Sequence, residues 1–576
     1  MRAAGGVDPQ QMANETLFLK SLSTSSPLRV GLLFPPGNLP PPTALVLEYL
    51  ERCDFVEVVA AIRAAPLKSN STPQPAVYRL YRWLDQLTAP AIAQELIPQD
   101  CSAILEHFRS CSVDSDPIGD RLSPSESQSS AFSAQHFDLI LQLGSPPDAS
   151  ALAPFARYGV WIMRLGDPLL GDDQPRHFWS TINQSVPLSI SLQARIPTSS
   201  SLVTLATGTL SLSSSISTAR NLMGPAHMGA GLVLSTLWQL HGSGWEFVLS
   251  RHHDAAVVQP QRDFPTTGQM LTSLLLKAAL QVRHRIRQHN TGAIWRVGIR
   301  RGSQLEGIEA ARQTAGLNWL QAPSGRYYAD PFVMLHDGEA FLFVEEFDRA
   351  ADKGRIACMR LNPDGSSEPP RVALERPYHL SYPQILVHDG QLFMIPESGY
   401  HETVEIYRAV DFPDRWELNR VLFNGAAFDT TVLHHGGLFW FFVSLLDTAY
   451  PQYTLLVLFY SDSLLGEWKL HPASPISTDI RAARCAGPLF VDQGQWIRPA
   501  QDSSESYGGA LHYRRILRID TRFYCEELAG SIDTQAIPGA IGVHTYSRAH
   551  PFEALDAKSR IRLSSQSVRA PPRQSQ

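Results

Sequence analysis

The sequence is short of the features that would place it quickly. Six cysteines (Cys53, Cys101, Cys111, Cys358, Cys485, Cys525) are spread through 576 residues with no C-x-x-C pair. That argues against a disulfide framework and against a zinc ribbon, and makes reduced thiols in a cytoplasm the expectation. No charge of one sign dominates: 49 Lys and Arg face 55 Asp and Glu, a formal net charge of −6. No global field therefore draws the chain to nucleic acid, and partners have to be argued from local sites. Long apolar runs are missing too. The densest, residues 438–446, is too short to span a bilayer, and the opening Met1-Arg-Ala-Ala-Gly-Gly-Val-Asp8 lacks the apolar core of a signal peptide, so no integral membrane segment is expected. Gly166-Asp167 and Gly171-Asp172 have no Walker or dinucleotide spacing around them, and neither nucleotide nor any other cofactor is expected. His388, His434 and His435 stand beside turn glycines at the outer ends of hairpins, where surface roles outnumber metal ligation, so no metal site is expected.

What is present divides the chain. Its length exceeds what one core organises and points to two or three domains. After a flexible start over residues 1–26, residues 28–34 read as a buried strand, 43–52 as a helix, 56–63 as a second strand and 78–87 as a helix, a β-α-β opening. Residues 112–134 are rich in Ser, Asp and Pro without periodicity and read as a mobile loop before a strand over 137–143. The α/β pattern continues to about residue 245. A helical connector over 246–291 follows, in which a helix over 268–288 ends in Arg283, His284, Arg285, Arg287 and His289, cations suited to a helix C-terminus.

Past residue 290 the texture changes to a repeat. Ala329-Asp-Pro-Phe-Val-Met-Leu-His-Asp-Gly338 is echoed by Ser381-Tyr-Pro-Gln-Ile-Leu-Val-His-Asp-Gly390, by Asp429-Thr-Thr-Val-Leu-His-His-Gly-Gly437 and by Ala486-Gly-Pro-Leu-Phe-Val-Asp-Gln-Gly494. Each is a strand, a glycine turn and then an aromatic strand, and the turn glycines are separated by 52, 47 and 57 residues. A second hairpin fits between each pair. Four strands at that period are the signature of propeller blades. A fifth blade is expected from residues 294–299 joined to 541–546, which gives an all-β five-bladed propeller over 292–550 and leaves 551–576, rich in Ser, Arg and Pro, as a disordered tail. Because the innermost strands of a propeller converge on one axis, Asp330, Tyr382, Asp429 and Gly487, at equivalent places in the repeat, are expected to meet there.

These residues also resemble known families. The Ala329-Asp-Pro-Phe332 opening with acids on later blades resembles the five-bladed propellers of arabinanases, β-xylosidases and fructosidases. More closely, residues 292–550 resemble the N-terminal region of plant glucosamine inositolphosphorylceramide transferases and their bacterial relatives, through Ala329-Asp-Pro-Phe332, Val344-Glu-Glu346, Lys353-Gly-Arg-Ile356, Tyr382-Pro383, Ile395-Pro-Glu-Ser398, Phe428-Asp-Thr-Thr431, Arg498-Pro-Ala-Gln-Asp502 and Tyr507-Gly508. The transferase domain of that family lies outside the resembling region, so transfer activity is not implied by it. The first half resembles methionyl-tRNA-type formyltransferases through Leu28-Arg-Val-Gly-Leu32, Phe137-Asp-Leu-Ile140, Tyr158-Gly-Val-Trp161 and Gly166-Asp167. Leu143 or Gly144 stands near the family's Asn and Arg164 stands where its His would align. An arginine stays protonated and cannot shuttle a proton, which implies a degenerate, Rossmann-like α/β domain.

The hydrolase resemblance implies roles. Asp330 matches the general base and Asp429 the carboxylate that orients it or stabilises positive charge, while the place of the acidic Glu reads Cys485-Ala486-Gly487. Glu346, Glu397 and Asp502 end second strands and are the substitutes; the catalytic set expected is Asp330, Asp429, Glu346 and Glu397, since glycoside chemistry needs two carboxyl groups flanking the bond. Tyr328, Glu345, Tyr382, Arg498, Gln501 and Asp502 are expected to contact substrate, with aromatics such as Trp440 and Trp496 serving mostly as packing. The bland alternatives are pairing of the acids with Arg326, Arg355 and Arg498, and Asx turns at Asp330 and Asp429. The function expected is binding of a glycan or glycoconjugate, with glycosyl hydrolysis or transfer as its chemistry. The alternatives are a non-catalytic glycan-recognition protein with a relic first domain, and formyl or acyl transfer to an amino sugar. Oligomeric state is left open.

Overall fold

The computed structural model describes residues 16–562, apart from positions 22, 35–40, 65–74, 88–106, 116–120, 145–147, 166–178, 180, 182–186, 200, 213–216, 222, 252–263 and 303–306. Gly166-Asp167 and Gly171-Asp172 lie outside the described residues.

The first half is built on a seven-stranded sheet, β1 (Leu28–Phe34), β2 (Val56–Ala64), β3 (Ser110–Val113), β4 (Leu139–Gln142), β5 (Val160–Leu165), β6 (Leu188–Arg195) and β7 (Leu202–Leu210), in the order β3-β2-β1-β4-β5-β6-β7. The first five strands are parallel and the last two antiparallel. β1, β4 and β5 bury almost every side chain, as central parallel strands do when both faces are covered. α1 (Pro41–Arg52) and α2 (Ala76–Leu87) agree with the periodicity of the sequence. The loop expected over 112–134 does not hold as one: α3 (Glu126–Ser133) lies inside it, nucleated by a capping box in which the Ser125 hydroxyl accepts from Gln128 N and the Gln128 side chain accepts from Ser125 N. The signal was Ser125-Glu-Ser-Gln128, an S-x-x-Q box without the apolar run that would have drawn attention to it.

α4 (Met223–Ser243) is buried over most of its length, and α5 (Thr267–Asn290) leads into the second half. The boundary drawn near 245 separates parts that share a core. One apolar cluster runs from Val30, Leu141 and Trp161 through Leu234 and Trp238 of α4 to Phe393, Phe441 and Val457 of the second half. Gly231 lets α4 approach so closely that a Cβ there would lie 2.6 Å from Ala449 O, and Tyr450 Oη donates to Gly231 O at 2.7 Å. Edge strand β7 pairs with the chain near Asp479, through Thr209 N to Thr478 O and Ile480 N to Thr209 O, both 2.9 Å.

The second half is a five-bladed β-propeller. Blades 1 to 4 take their inner and second strands from Arg326–His336 and Glu339–Asp348, Ser381–His388 and Gln391–Ser398, Ala427–His435 and Leu438–Leu445, and Phe490–Asp492 and Gln495–Asp502. The hairpin turns Asp337-Gly338, Asp389-Gly390, Gly436-Gly437 and Gln493-Gly494 all have positive φ at both residues, which is what two-residue primed turns demand and why the repeat is visible as a glycine period. Blade 5 joins the two ends of the propeller: Thr291–Arg301 pairs antiparallel with Phe552–Arg562, from Arg301 opposite Phe552 to Thr291 opposite Arg562. This corrects the disordered tail expected from residue 551. Phe552–Arg562 form a strand whose charges, Glu553 and Asp556, are buried against Arg300 and His544.

Candidate functional site

The inner strands of blades 1, 2 and 3 each break register once, between Ala329 and Phe332, Ser381 and Gln384, and Phe428 and Thr431. At each break one residue takes a left-handed backbone: Asp330 (φ 48°), Tyr382 (φ 47°) and Asp429 (φ 45°). Non-glycine residues rarely adopt that conformation, and three instances at one repeat position mark a site that the packing holds in place. In blade 4 the place is taken by Gly487 (φ 122°), where a Cβ would lie 2.0 Å from Tyr546 O. No side chain fits there, so the fourth blade cannot present an acid from this position.

The carboxyl groups of Asp330, Glu345, Glu397, Asp429 and Asp556 are all buried and close enough for their charges to act on one another. Asp429 accepts from Arg484 Nε and from Gln501 Nε2 at 2.6 Å, and its backbone N donates to Glu397 Oε2 at 2.9 Å. Arg484 Nη2 lies 3.3 Å from Glu397 Oε2, so one guanidinium spans acids from blades 2 and 3. Its face is covered by the rings of Phe428, Tyr453 and Tyr507 at 5.3, 4.8 and 4.9 Å, a cation–π cage. On the opposite side, Asp330 Oδ1 accepts from Thr545 Oγ1 at 2.8 Å, and Asp330 N donates to Asp556 Oδ2 at 3.0 Å. Asp556 also accepts from His544 N, Thr545 N and, at 2.6 Å, from His544 Nδ1. His544 Nε2 is 3.7 Å from Asp330 Oδ1, and its ring stacks on Trp295 at 3.7 Å.

These surroundings set the protons. Burial raises Asp330 to about 6; the neighbouring Asp429 and Asp556 charges push the same way, and His544 opposes them. Burial and then the surrounding carboxylates hold Glu345 well above the usual carboxylate range. Burial and Asp429 do the same to Glu397, against the pull of Arg484. Burial works against the charged form of His544, but the Asp556 and Asp330 carboxylates outweigh it and raise the imidazole. Above the cluster, Tyr400 is 66% exposed and Tyr507 more than a third exposed, and Lys558 Nζ sits 5.4 Å from the Trp295 ring and 5.9 Å from that of Tyr507. Aromatic faces beside charged groups are what a sugar ring needs for stacking and hydroxyl recognition.

Of the residues expected at the site, Asp330, Asp429, Glu397, Glu345 and Gln501 meet at the axis, and Tyr382 lies beneath them, its hydroxyl 2.9 Å from Thr431 Oγ1 and accepting from Gly487 N at 2.6 Å. Glu346 does not join them. It faces the other side of its strand and pairs with Arg326 and with Arg355 at 2.9 Å, while its neighbour Glu345 takes the inward position. Tyr328 stands opposite Glu346 and packs with Val297, Ile299 and Ala554 between blades. Arg498 is fully buried on Glu526, at 2.9 Å through Nε, within blade 4. Asp502 pairs with His512 at 3.2 Å, and its carboxyl is held below the usual range because the bonds from His512 and Ser504 outweigh its burial. Four members were missed: Arg484, His544, Thr545 and Asp556. Asp330, His544 and Asp556 each offer a ligand atom within 4.8 Å of the others, the spacing of a cation site, although each of these atoms is already engaged with its neighbours.

Residues 314–553 match the family model described as glucosamine inositolphosphorylceramide transferase 1, N-terminal. Over 208 residues, 35% of this chain, the sequence is 32% identical to the glucosamine inositolphosphorylceramide transferase 1 of Arabidopsis thaliana, and over 204 residues it is 32% identical to that of Oryza sativa subsp. japonica. The propeller half is thus similar to the N-terminal region of these transferases, and the chain spans about a quarter of the length of the curated relatives it matches, 27% in each case. Solved structures that overlap with the chain include a GH43_1 enzyme from Xanthomonas citri (10% identity, 43% of this chain and 91% of that one, TM-score 0.30) and the RS223 β-xylosidase (14% identity, 35% and 74%, TM-score 0.29).

Proposed function

We propose that the axis of the propeller binds a glycan or the sugar part of a glycoconjugate and that its carboxyl cluster performs acid–base chemistry on a glycosidic bond. The observation that carries this reading is the convergence of Asp330, Glu345, Glu397 and Asp429 from three blades into one buried cluster with unequal proton affinities. Glycosyl hydrolysis and transfer both need one carboxyl that gives a proton to the leaving oxygen and another that takes one from the attacking hydroxyl. In this reading Glu397, which keeps its proton, is the donor and Asp330, with its affinity near 6, the acceptor. Asp429, clamped by Arg484 and Gln501, is the fixed charge beside the reacting carbon. The curated relatives are named for transfer involving an inositolphosphorylceramide, which favours a glycoconjugate over a free polysaccharide.

A second reading, recognition without catalysis, is favoured by Gly487, since the fourth blade has no room for an acid at the repeat position. For the first domain we retain a degenerate formyltransferase origin; Arg164 stands in β5 where a proton shuttle would be needed.

The test is a glycan array and an activity panel run on the whole chain and on Asp330→Asn. An acid–base role predicts retained glycan binding with turnover lower by about 10²-fold or more. Binding without turnover in the wild type selects the recognition reading, and no glycan binding at all refutes both. Titration of the same preparation with a formyl-tetrahydrofolate analogue is expected to show no saturable binding; micromolar binding would overturn the degenerate reading of the first domain.

A further inference from the structure

The two halves do not close fully on each other. Where β6, β7 and α4 meet the propeller, the contact leaves a cavity of about 80 Å3, bounded on the far side by residues 475–481 and by Arg514, Tyr524 and Glu526 from the outer strands of blade 4, Ala510–Ile519 and Tyr524–Ile532. That is several times the ~10–15 Å3 that one water needs and well short of the ~300 Å3 at which pockets for whole small molecules begin. Its walls are polar: Ser189, Thr207, Thr209, Ser235, Ser477 and Thr478 line it beside three arginines, Arg251, Arg481 and Arg514. A cavity left by imperfect packing stays dry when apolar side chains line it, whereas a polar one calls for an occupant that can bond.

The charges say which kind. Arg481 holds both oxygens of Asp479 through Nε and Nη2 at 2.6–3.1 Å, and Arg514 Nε lies 3.1 Å from Glu526 Oε1, so each of these guanidiniums faces an acid in the cavity wall. Arg251 differs. It follows the short helix Trp245–Ser250 and donates through Nη1 to Gln239 Oε1 and through Nη2 to Pro475 O, both at 2.6 Å. Both acceptors are neutral, and the two bonds engage two of its five N–H donors. Burial pulls its pKa down to about 10, with only the Tyr450 hydroxyl acting the other way. A cation taken from water and given neutral partners has lost solvation that an anion restores, and a guanidinium is the group best matched to phosphate oxygens. Hydroxyls on several walls donate in several directions, which suits a tetrahedral oxyanion better than a planar carboxylate.

We propose that this cavity binds a phosphate group, held by the charge of Arg251 and by the hydroxyls of β6, β7 and residues 475–481, and that the bound phosphate fastens the sheet domain to blade 4. The inference does not rest on the reading of the propeller axis, since none of the axial carboxyl groups lines the cavity.

Thermal unfolding of the whole chain tests it, with inorganic phosphate, with the phosphate ester glucose 6-phosphate, and with chloride at matched ionic strength. Phosphate at about 100 times its dissociation constant is expected to raise the melting temperature by about 2–3 °C in a folded unit this large, and chloride to leave it unchanged. A rise with the ester at least as large shows that the site takes the phosphate of a larger molecule; a rise with inorganic phosphate alone shows that it takes the free ion. Arg251→Gln is expected to abolish the rise, and Arg251→Lys, which keeps the charge, to retain part of it. Should both variants melt early, a wild-type crystal soaked in tungstate, a heavier tetrahedral dianion, decides: its anomalous peak is expected in the cavity beside Arg251. No rise with either phosphate compound, a rise that Arg251→Gln leaves intact, or no tungstate peak in this cavity would each overturn the proposal.

Discussion

Replacing Asp556 by asparagine is a severe test of how the axial cluster is held. The two oxygens of Asp556 accept four bonds, from His544 N (3.2 Å) and Thr545 N (2.9 Å) at Oδ1 and from Asp330 N (3.0 Å) and His544 Nδ1 (2.6 Å) at Oδ2. Asparagine turns one oxygen into an NH2 group that faces donors. If the NH2 takes the Oδ1 place, two buried backbone N–H groups lose their acceptor. If it takes the Oδ2 place, His544 can release its Nδ1 proton and accept, but Asp330 N is left unpaired. In the milder case one orphaned N–H costs about 1–3 kcal/mol and the lost charge-assisted bond about 1.5–3, so the variant should be at least ~2.5 kcal/mol less stable. With a urea dependence near ~3 kcal/mol per M for a unit of this size, the unfolding midpoint at pH 7 should drop by about 1 M. Asp330→Asn, by contrast, keeps the Oδ1 that accepts from Thr545, and asparagine tolerates the left-handed backbone, so its cost should stay near ~1 kcal/mol. Equal midpoints for the two variants would refute the assignment of Asp556 as the strut and Asp330 as the group it presents.

Two further outcomes follow from the geometry. Asp330 holds its proton up to about 6 in the fold against an ordinary value near 4, so the native state binds the extra proton in that window and the stability it contributes is lost as pH rises from about 4 to 6. Asp330→Asn cannot ionise, so its deficit relative to wild type should shrink or reverse by ~2 kcal/mol between pH 4 and 7 in urea titrations; a deficit that grows with pH would contradict the direction. Gly487→Ala places a Cβ 2.0 Å from Tyr546 O on a backbone with φ 122°, and should cost more than about 3 kcal/mol, read as a melting temperature lower by several degrees.

The repeat was legible because its turns need glycine or a short polar residue at positive φ, and those residues recur in the chain at blade spacing. Asp330 and Asp429 were legible for a related reason, as acids at one repeat position. The choice of Glu346 over Glu345 failed on strand alternation, since neighbours on a strand face opposite sides and the register counted from the turn already favours Glu345. Pairing from the turn runs His336 to Glu339, and with no break Asp330 would face Glu345; the bulge at Asp330 shifts the ladder so that Ala329 faces Glu345 and Tyr328 faces Glu346. Asp556 was hidden in Phe552–Arg562, a strand so rich in charge that it read as tail, because its acids are neutralised by Arg300, more than two hundred positions away, and by His544 in the connection between Ala540–Gly542 and Tyr546–Ala549. Arg484 precedes the motif that drew attention, Cys485-Ala486-Gly487, and nothing local marks it. Its role depends on acids brought over from blades 2 and 3.

Arg484 also explains why the sheet domain and the propeller share a core. The segment that carries it leaves blade 3 along Ser477 to Asp479, where β7 grips it by two backbone bonds, and then turns tightly, Ala482 N and Ala483 N both donating to Asp479 O. The guanidinium is therefore aimed from a frame that neither domain provides alone. Five carboxyl groups surround Arg484 and His544, and full ionisation would leave three negative charges uncompensated in a buried space, which costs far more than holding protons there. Three of the five, Asp330, Glu345 and Glu397, are the ones with raised proton affinities. The cluster thus keeps protons on Glu345 and Glu397 at neutral pH, while Asp330, raised only to about 6, has released most of its own, and a frame that fixes the position of Arg484 bears on which acids carry them. A chain that merely packed its axis would fill it with apolar side chains, as the interblade cores around Phe343 and Leu458 are filled.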